Sequence, residues 1–193
     1  SYERALQVPG RHMQVDASFA HAVGRILGFE KGKIDEALSH FIGTWKRFEY
    51  KGSTDTGARV YDDYAHHPTE IKASLEGFRE KYPKGEYMLH LFFQPHLFSR
   101  TKALFNEFVT SFDDADEVIL LPIFKAREVD DGTVSSHILA DALQKTNQHT
   151  RALSFEEAYD YAQHLILTSK DVLITMGAGE AWKVGDILLK KEI

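Results

Sequence analysis

Cysteine is absent from this 193-residue chain, which excludes disulfides, thiol nucleophiles and thiolate-held zinc. Its absence fits a cytoplasmic protein, which is the expected location. No apolar run approaches the roughly 20 residues that span a bilayer. Residues 1–10 carry charges and no apolar stretch, so a signal peptide is not expected either. Basic stripes are missing too. Lys and Arg number 23 against 29 Asp and Glu, for a net charge of −6, so nucleic acid is not an expected partner. There is no Gly-x4-Gly-Lys-[Ser/Thr] phosphate loop and no Gly-x-Ser-x-Gly elbow around Ser99. Any nucleotide bound here must have its phosphates held by something else. Repeats and low-complexity tracts are also lacking. The chain opens on Ser1 without an initiator Met and reads as a piece of a longer one.

What is present has two textures. Residues 11 to 43 read as helical. Val15, Phe19, Val23, Ile26 and Leu27 recur at helical spacing before Gly28, a C-cap candidate, and Ile34, Ala37, Leu38 and Phe41 share one face of a second short helix. Gly43 and Trp45 to Phe48 look like a linker, with Trp45 and Trp182 as packing residues. From residue 46 strands and helices alternate. A hairpin is expected across Gly52 to Gly57, a helix over Pro68 to Tyr82, and a buried strand over Tyr87 to Phe93. A single amphipathic helix is expected over Arg100 to Phe112, then a strand over Glu117 to Ile123. Helices over Ser135 to Lys145 and Ser154 to Thr168 precede a last strand, Asp171 to Met176. This alternation predicts an α/β fold, a Rossmann-like, doubly wound, mostly parallel sheet with an N-terminal helical extension.

Polar clusters fall where the expected strands end: Asp62 to Thr69, Gln94 to Thr101, Lys125 to Glu128, and Gly177 to Glu180. In a parallel sheet those ends share one edge, which is where ligands bind. Each cluster also has a plain structural explanation. His66 and His67 can cap a helix, Asp62 and Asp63 can be turn residues, and Arg127 can pair with Glu128 or Asp130. The other histidines, His12, His21, His40, His90, His137, His149 and His164, are scattered and read as structural. A metal held by His66, His67, His96 and Asp62 or Asp63 is disfavoured, because neighbouring side chains on extended backbone diverge.

Asp-Asp-Tyr-Ala-His-His-Pro-Thr-Glu-Ile at 62–71, Phe-Gln-Pro-His-Leu-Phe-Ser-Arg-Thr at 93–101, Ala-Arg-Glu-Val at 126–129 and Gly-Ala-Gly-Glu at 177–180 closely resemble the C-terminal part of the Mur ligases of peptidoglycan synthesis. Lys46-Arg47-Phe48-Glu49 resembles that family's Arg-Arg-Phe-Glu element, and Gly10-Arg11-His12 the end of its central domain. The resemblance implies residues 1–45 as the helical tail of a central ATPase domain and 46–193 as a Rossmann-like amino-acid and nucleotide-binding domain. It implies an ATP-dependent amide synthesis, with Mg2+ as cofactor, in which the lactyl carboxylate of UDP-N-acetylmuramate becomes an acyl phosphate that the amine of L-alanine attacks. It assigns L-alanine to Tyr64, His66, His96 and Arg100, with His66 as the catalytic candidate. Nucleotide goes to Arg47 with Asp62 or Asp63, while Arg127 and the Gly177 to Gly179 turn line the same cleft. No metal ligand is assigned within the chain. The phosphate loop, magnesium ligands and UDP-sugar site are implied to lie in missing domains, so this piece alone is expected to be inactive. Met13 and Asp16 stand where the family usually has Asn, Glu180 where Asp is more frequent, and Leu97 where some members have Arg. Three alternatives remain: a sister ligase that attaches a preformed tripeptide in cell-wall recycling, a non-catalytic Rossmann-type ligand-binding module, and a histidine-metal hydrolase, which would carry stoichiometric zinc.

Overall fold

The computed structural model describes residues 6–145 and 149–191. Ser1 to Ala5, half of the segment read as lacking a signal peptide, lie outside them. Helices α1 (Arg11–Ile26) and α2 (Lys31–Ser39) form the N-terminal extension. Gly28 follows α1 at φ 84°, a left-handed turn that ends the helix without a side-chain clash. Only Met13 and Ala17 of α1 are buried. Its expected core stripe faces outward instead, with Phe19 67% and Ile26 83% exposed.

Strands β1 (Glu49–Ser53) and β2 (Arg59–Asp63) form the expected antiparallel hairpin, with a bulge between Tyr50 and Gly52. Helix α3 (Pro68–Lys81) then leads into β3 (Met88–Phe93). The amphipathic stretch after it is two short helices rather than one, α4 (Phe98–Ala103) and α5 (Phe105–Val109), broken at Leu104. Strand β4 (Glu117–Leu120) stops three residues before the expected end, and α6 (Ser136–Leu143) follows. A three-residue edge strand, β5 (Thr150–Ala152), was too short to carry a periodic signal. Helix α7 (Phe155–His164), strand β6 (Asp171–Met176) and the unanticipated helix α8 (Trp182–Leu188) complete the fold.

The sheet runs β1-β2-β6-β3-β4-β5, antiparallel only at β1. From β3 through β5 the chain steps one way across the sheet, and right-handed crossovers then place α5 and α6 on one face. The return to β6 reverses direction and puts α7 on the other. The two cores agree. Ile71, Leu75 and Phe78 of α3, Phe108 of α5 and Leu139 of α6 pack on one face. Ala158 and Ala162 of α7 and Val184 of α8 pack on the other. Burying each large apolar side chain contributes about 1.5–3 kcal/mol. Phe48, expected in a linker, is buried and stacks on Phe78 at 3.8 Å between centroids, so it anchors the hairpin to α3. Trp45 is 76% exposed, not packed, and the Lys46 ammonium lies 5.3 Å from its ring centroid.

His90 is structural, as expected, but as part of a buried ion network. Its Nδ1 lies 2.8 Å from Glu117 Oε2 and its Nε2 2.9 Å from Asp171 Oδ1. Both partners are acceptors, so both ring nitrogens carry protons and the ring is an imidazolium. Glu117 also accepts from the Tyr161 hydroxyl at 2.5 Å, and Asp171 from Thr168. Burial pulls the His90 pKa down, but the two carboxylates outweigh it and raise it. Burial likewise pushes Glu117 and Asp171 up, and their hydrogen bonds, His90's first, hold both below the ordinary values. The His90 contribution to stability is therefore complete below about 6.5, its ordinary value, and is lost as pH rises through the higher folded value. The carboxylate contributions run the other way and are lost as pH falls. Urea-unfolding midpoints measured from about pH 5 to 9 should decline on the alkaline side. His90→Gln should abolish that decline and cost about 3–5 kcal/mol near neutrality, because two buried carboxylates lose their cation. Identical alkaline limbs in the two proteins would contradict this role.

Candidate functional site

Asp63, Met176, Phe93 and Leu120 stand side by side in parallel register at the carboxyl ends of β2, β6, β3 and β4. Each strand continues into one of the polar clusters, so all four clusters start from one line. Backbone bonds carry the register one residue further: Gly177 N donates to Asp63 O at 3.0 Å, Gln94 N to Met176 O and Leu121 N to Phe93 O, both at 2.9 Å.

After β2, Asp63 folds the turn. Its Oδ1 accepts the Ala65 amide at 2.8 Å and its Oδ2 the Phe48 amide at 2.9 Å. His67 takes the capping role: its Nδ1 accepts from Thr69 N at 3.3 Å, while the Glu70 carboxylate accepts the His67 amide at 3.2 Å. Pro68 at the first helical position needs no amide partner. His67 is thus committed to α3, and His66 is turned toward the rim.

Tyr64, His66, His96 and Arg100 come together there. The rings of Tyr64 and His66 meet edge to face at 5.1 Å, those of His66 and His96 at 5.8 Å. His96 also stacks on Phe124 at 5.5 Å. Arg100, from the first turn of α4, bears electrostatically on both histidines. His66 Nδ1 lies 3.1 Å from Tyr64 O and 3.1 Å from Glu70 Oε2. Both are acceptors, so Nδ1 carries the proton and Nε2 keeps its lone pair. Burial and the Arg100 charge lower the pKa of both rings; at His66 burial leads and outweighs the Glu70 carboxylate. Arg100 Nη1 and His96 Nδ1 are buried without a hydrogen-bond partner. A buried donor left unmet costs free energy; a bound carboxylate would meet Arg100 Nη1, and His96 Nδ1 as well in the tautomer that carries its proton there.

The two aspartates separate. Asp62 points to the α8 face, where its Oδ1 accepts from Thr175 Oγ1 at 2.7 Å and burial pushes its pKa up to about 6. Asp63 points to the α3 face, where it shares a cleft of about 240 Å³ with Arg47, His12, Met13, Asp16 and Ser74. Successive residues of a strand face opposite sides, so one ligand cannot take both carboxylates. His12 Nδ1 is buried there and unpartnered. A guanidinium, a carboxylate and an unmet imidazole nitrogen suit the polar edge of a nucleotide. No group of three or more His, Asp or Glu side chains among the described residues is disposed to hold a metal ion.

Other rim residues behave differently from their sequence reading. Arg127 is exposed and, among the described residues, pairs with neither expected partner; Glu128 bonds Ser99 instead, and Asp130 bonds the Gly132 amide. Gln94 was quoted only within a motif. It is 2% exposed; its Nε2 donates to Pro122 O at 3.1 Å and its Oε1 accepts the Glu180 amide at 2.5 Å. It therefore ties the ends of β3, β4 and β6 together. A buried amide directly after an apolar strand was the available signal, since such a group must find partners.

Residues 46–179 match the Mur ligase, glutamate ligase domain family. The chain belongs to the Mur ligase family. It is 45% identical over 186 residues to the UDP-N-acetylmuramate–L-alanine ligase of Clostridium beijerinckii, covering 96% of this chain and 39% of the relative. The chain thus spans about two fifths of that relative's length. In fold it is similar to the UDP-N-acetylmuramate–alanine ligase of Thermotoga maritima, with TM-score 0.76, 25% identity, and 96% of this chain and 38% of that one covered. A murein peptide ligase from Psychrobacter arcticus shares the fold at TM-score 0.59 and 23% identity, over 92% and 36% of the two chains. In this Mur ligase chain Gly177 has φ 131°, and a Cβ there would stand 2.6 Å from Gln94 O. Gly177→Ala should lower the unfolding free energy by about 1–3 kcal/mol or more, read by urea denaturation. An unchanged midpoint would show that the rim is not packed this tightly.

Proposed function

We propose that this chain is the C-terminal portion of a cytoplasmic, ATP-dependent ligase that joins L-alanine to UDP-N-acetylmuramate through an acyl phosphate. The observation that carries the reading is the pair of unpartnered buried nitrogens, Arg100 Nη1, a fixed donor, and His96 Nδ1, a donor in its Nδ1–H tautomer, beside a neutral His66 ring. The donors suit the carboxylate of an incoming amino acid, while Tyr64 and His66 orient its other end. The amine must be neutral to attack. His66 Nε2 takes its proton as the C–N bond forms, the C–O bond to phosphate breaks, and phosphate leaves. The 40–45% identical relatives carry the alanine-ligase name, which favours L-alanine over a preformed peptide.

Arg47 and Asp63 are the nucleotide contacts in this reading, with Asp62 excluded by the face it occupies. ATP phosphates and Mg2+ are assigned to the part of the relatives that this chain does not span. Residues 1–45 are read as the tail of the central ATPase domain, and 46–193 as the amino-acid and nucleotide-binding domain. The outward apolar stripe of α1 fits an element that packs against more of that central domain. No helix among the described residues is long and apolar enough to cross a membrane. The partners are the three small substrates and the missing domains of the same protein.

In the full-length protein, Arg100→Ala should raise the KM for L-alanine about 10–100-fold, the worth of a charged hydrogen bond, and leave the KM for ATP nearly unchanged. His66→Ala should lower kcat by about 10²-fold or more. With wild type, kcat/KM should fall as pH drops through the lowered His66 pKa, because only the neutral ring accepts the proton. The 193-residue chain alone should give no product. Unchanged alanine kinetics in both variants, or preference for a tripeptide acceptor, would refute the assignment.

A further inference from the structure

Helix α4 begins without a side chain to cap it. Its N-cap is the apolar Leu97, held at φ 71° and making no side-chain capping bond. The first amides of a helix have no partner within it. Here Glu128, thirty residues on in the loop after β4, supplies the acceptors. Its Oε2 accepts the Ser99 amide at 3.0 Å, its Oε1 accepts the Ser99 hydroxyl, and the Phe98 amide also helps hold its pKa below the ordinary carboxylate value. The same loop grips the residues just before the helix. Phe124 N donates to Pro95 O at 2.8 Å, Leu97 N donates to Phe124 O at 2.9 Å, and the Phe124 ring supports His96. His96 and Arg100 thus flank a segment whose position is set from residues 124–128.

We propose that Glu128 is a positioning residue of the acceptor site: its carboxylate, standing in for the missing N-cap side chain, sets where Arg100 and His96 point. This rests on the acceptor reading given above. It touches neither substrate nor reacting atoms in that reading; it acts through α4. His96 is faced by Arg100 from α4, by His66 from the β2–α3 turn and by Glu128 from the β4–α6 loop. Glu128 is the anion of that set and opposes the Arg100 charge at His96.

The test compares Glu128→Gln and Glu128→Asp. Gln keeps the length but turns a donor toward amide donors and removes the charge; Asp keeps the charge one methylene short. In the 193-residue chain, Glu128→Gln should move the His96 ring titration, followed by NMR, to lower pH and shift the Phe98 and Ser99 amide resonances. In the full-length ligase it should raise the KM for L-alanine about tenfold or more, with kcat and the KM for ATP changed by less than about twofold. Glu128→Asp should recover part of the loss. A fall in Tm with the His96 titration and the alanine KM both unchanged would make Glu128 an ordinary surface cap and overturn the proposal. If Glu128→Gln moves the His96 titration but Arg100→Ala and His96→Ala leave the alanine KM untouched, Glu128 still orders α4, yet the acceptor reading fails and the proposal falls with it.

Discussion

Parallel register across four strand ends, Asp63, Met176, Phe93 and Leu120, is the constraint on which the site depends. Segments more than a hundred residues apart along the chain start from one line because β6 returns between β2 and β3. Backbone bonds alone bring them there, so side chains in the loops are free to be ionisable rather than adhesive. Some loop side chains do bond backbone, Glu70 and Glu128 among them, and Asp63 and Gln94 do so at the strand ends themselves. Each of these last two spends both polar atoms of its side chain on neighbouring backbone, and together they hold the turns at fixed separations.

On that frame the cluster of Tyr64, His66, His96 and Arg100 is poised rather than satisfied. Arg100 Nη1 and His96 Nδ1 are buried without partners, and burial with the Arg100 charge holds both histidines below their ordinary pKa. Such an arrangement costs folding free energy and gains it back only when an anion arrives. The opposite edge of the sheet is built on the reverse logic. There His90 bonds Glu117 and Asp171, Tyr161 and Thr168 donate to their other oxygens, and the charges serve stability. The buried His90 and the half-buried His66 and His96 thus carry opposite pKa shifts: two carboxylates bond His90, whereas burial and the Arg100 charge act on the other two.

Much of this was legible in the residues. The hairpin showed in its turn-rich Gly52 to Gly57 segment, α3 in its helical spacing and β3 in a dense apolar run, and the polar clusters at the strand ends fall along one edge. The structure departs where short elements or tertiary partners decide. β5 has three residues and α8 seven, too few for a period to show. Leu104 breaks a helix that its own pattern would have continued. The stripe on α1 is truly amphipathic, yet periodicity cannot say which body it packs on. Asp62 and Asp63 look equivalent in the sequence and separate only when β2 is placed between two layers. Glu128 read as a partner for Arg127 because adjacent charges suggest pairing, whereas its bonds run to a helix start distant in sequence.

The central claim is that one amino-acid carboxylate sits between Arg100 and His96, with the amine toward His66. The most direct measurement is NMR of the full-length ligase, labelled at Arg and His and saturated with nucleotide and UDP-N-acetylmuramate, titrated with L-alanine and then with L-alaninamide. The Arg100 guanidinium and the His96 and His66 ring signals should move together with L-alanine and stay still with the amide, which lacks the anion. Equal responses to both compounds, or movement elsewhere with these three groups silent, would contradict it.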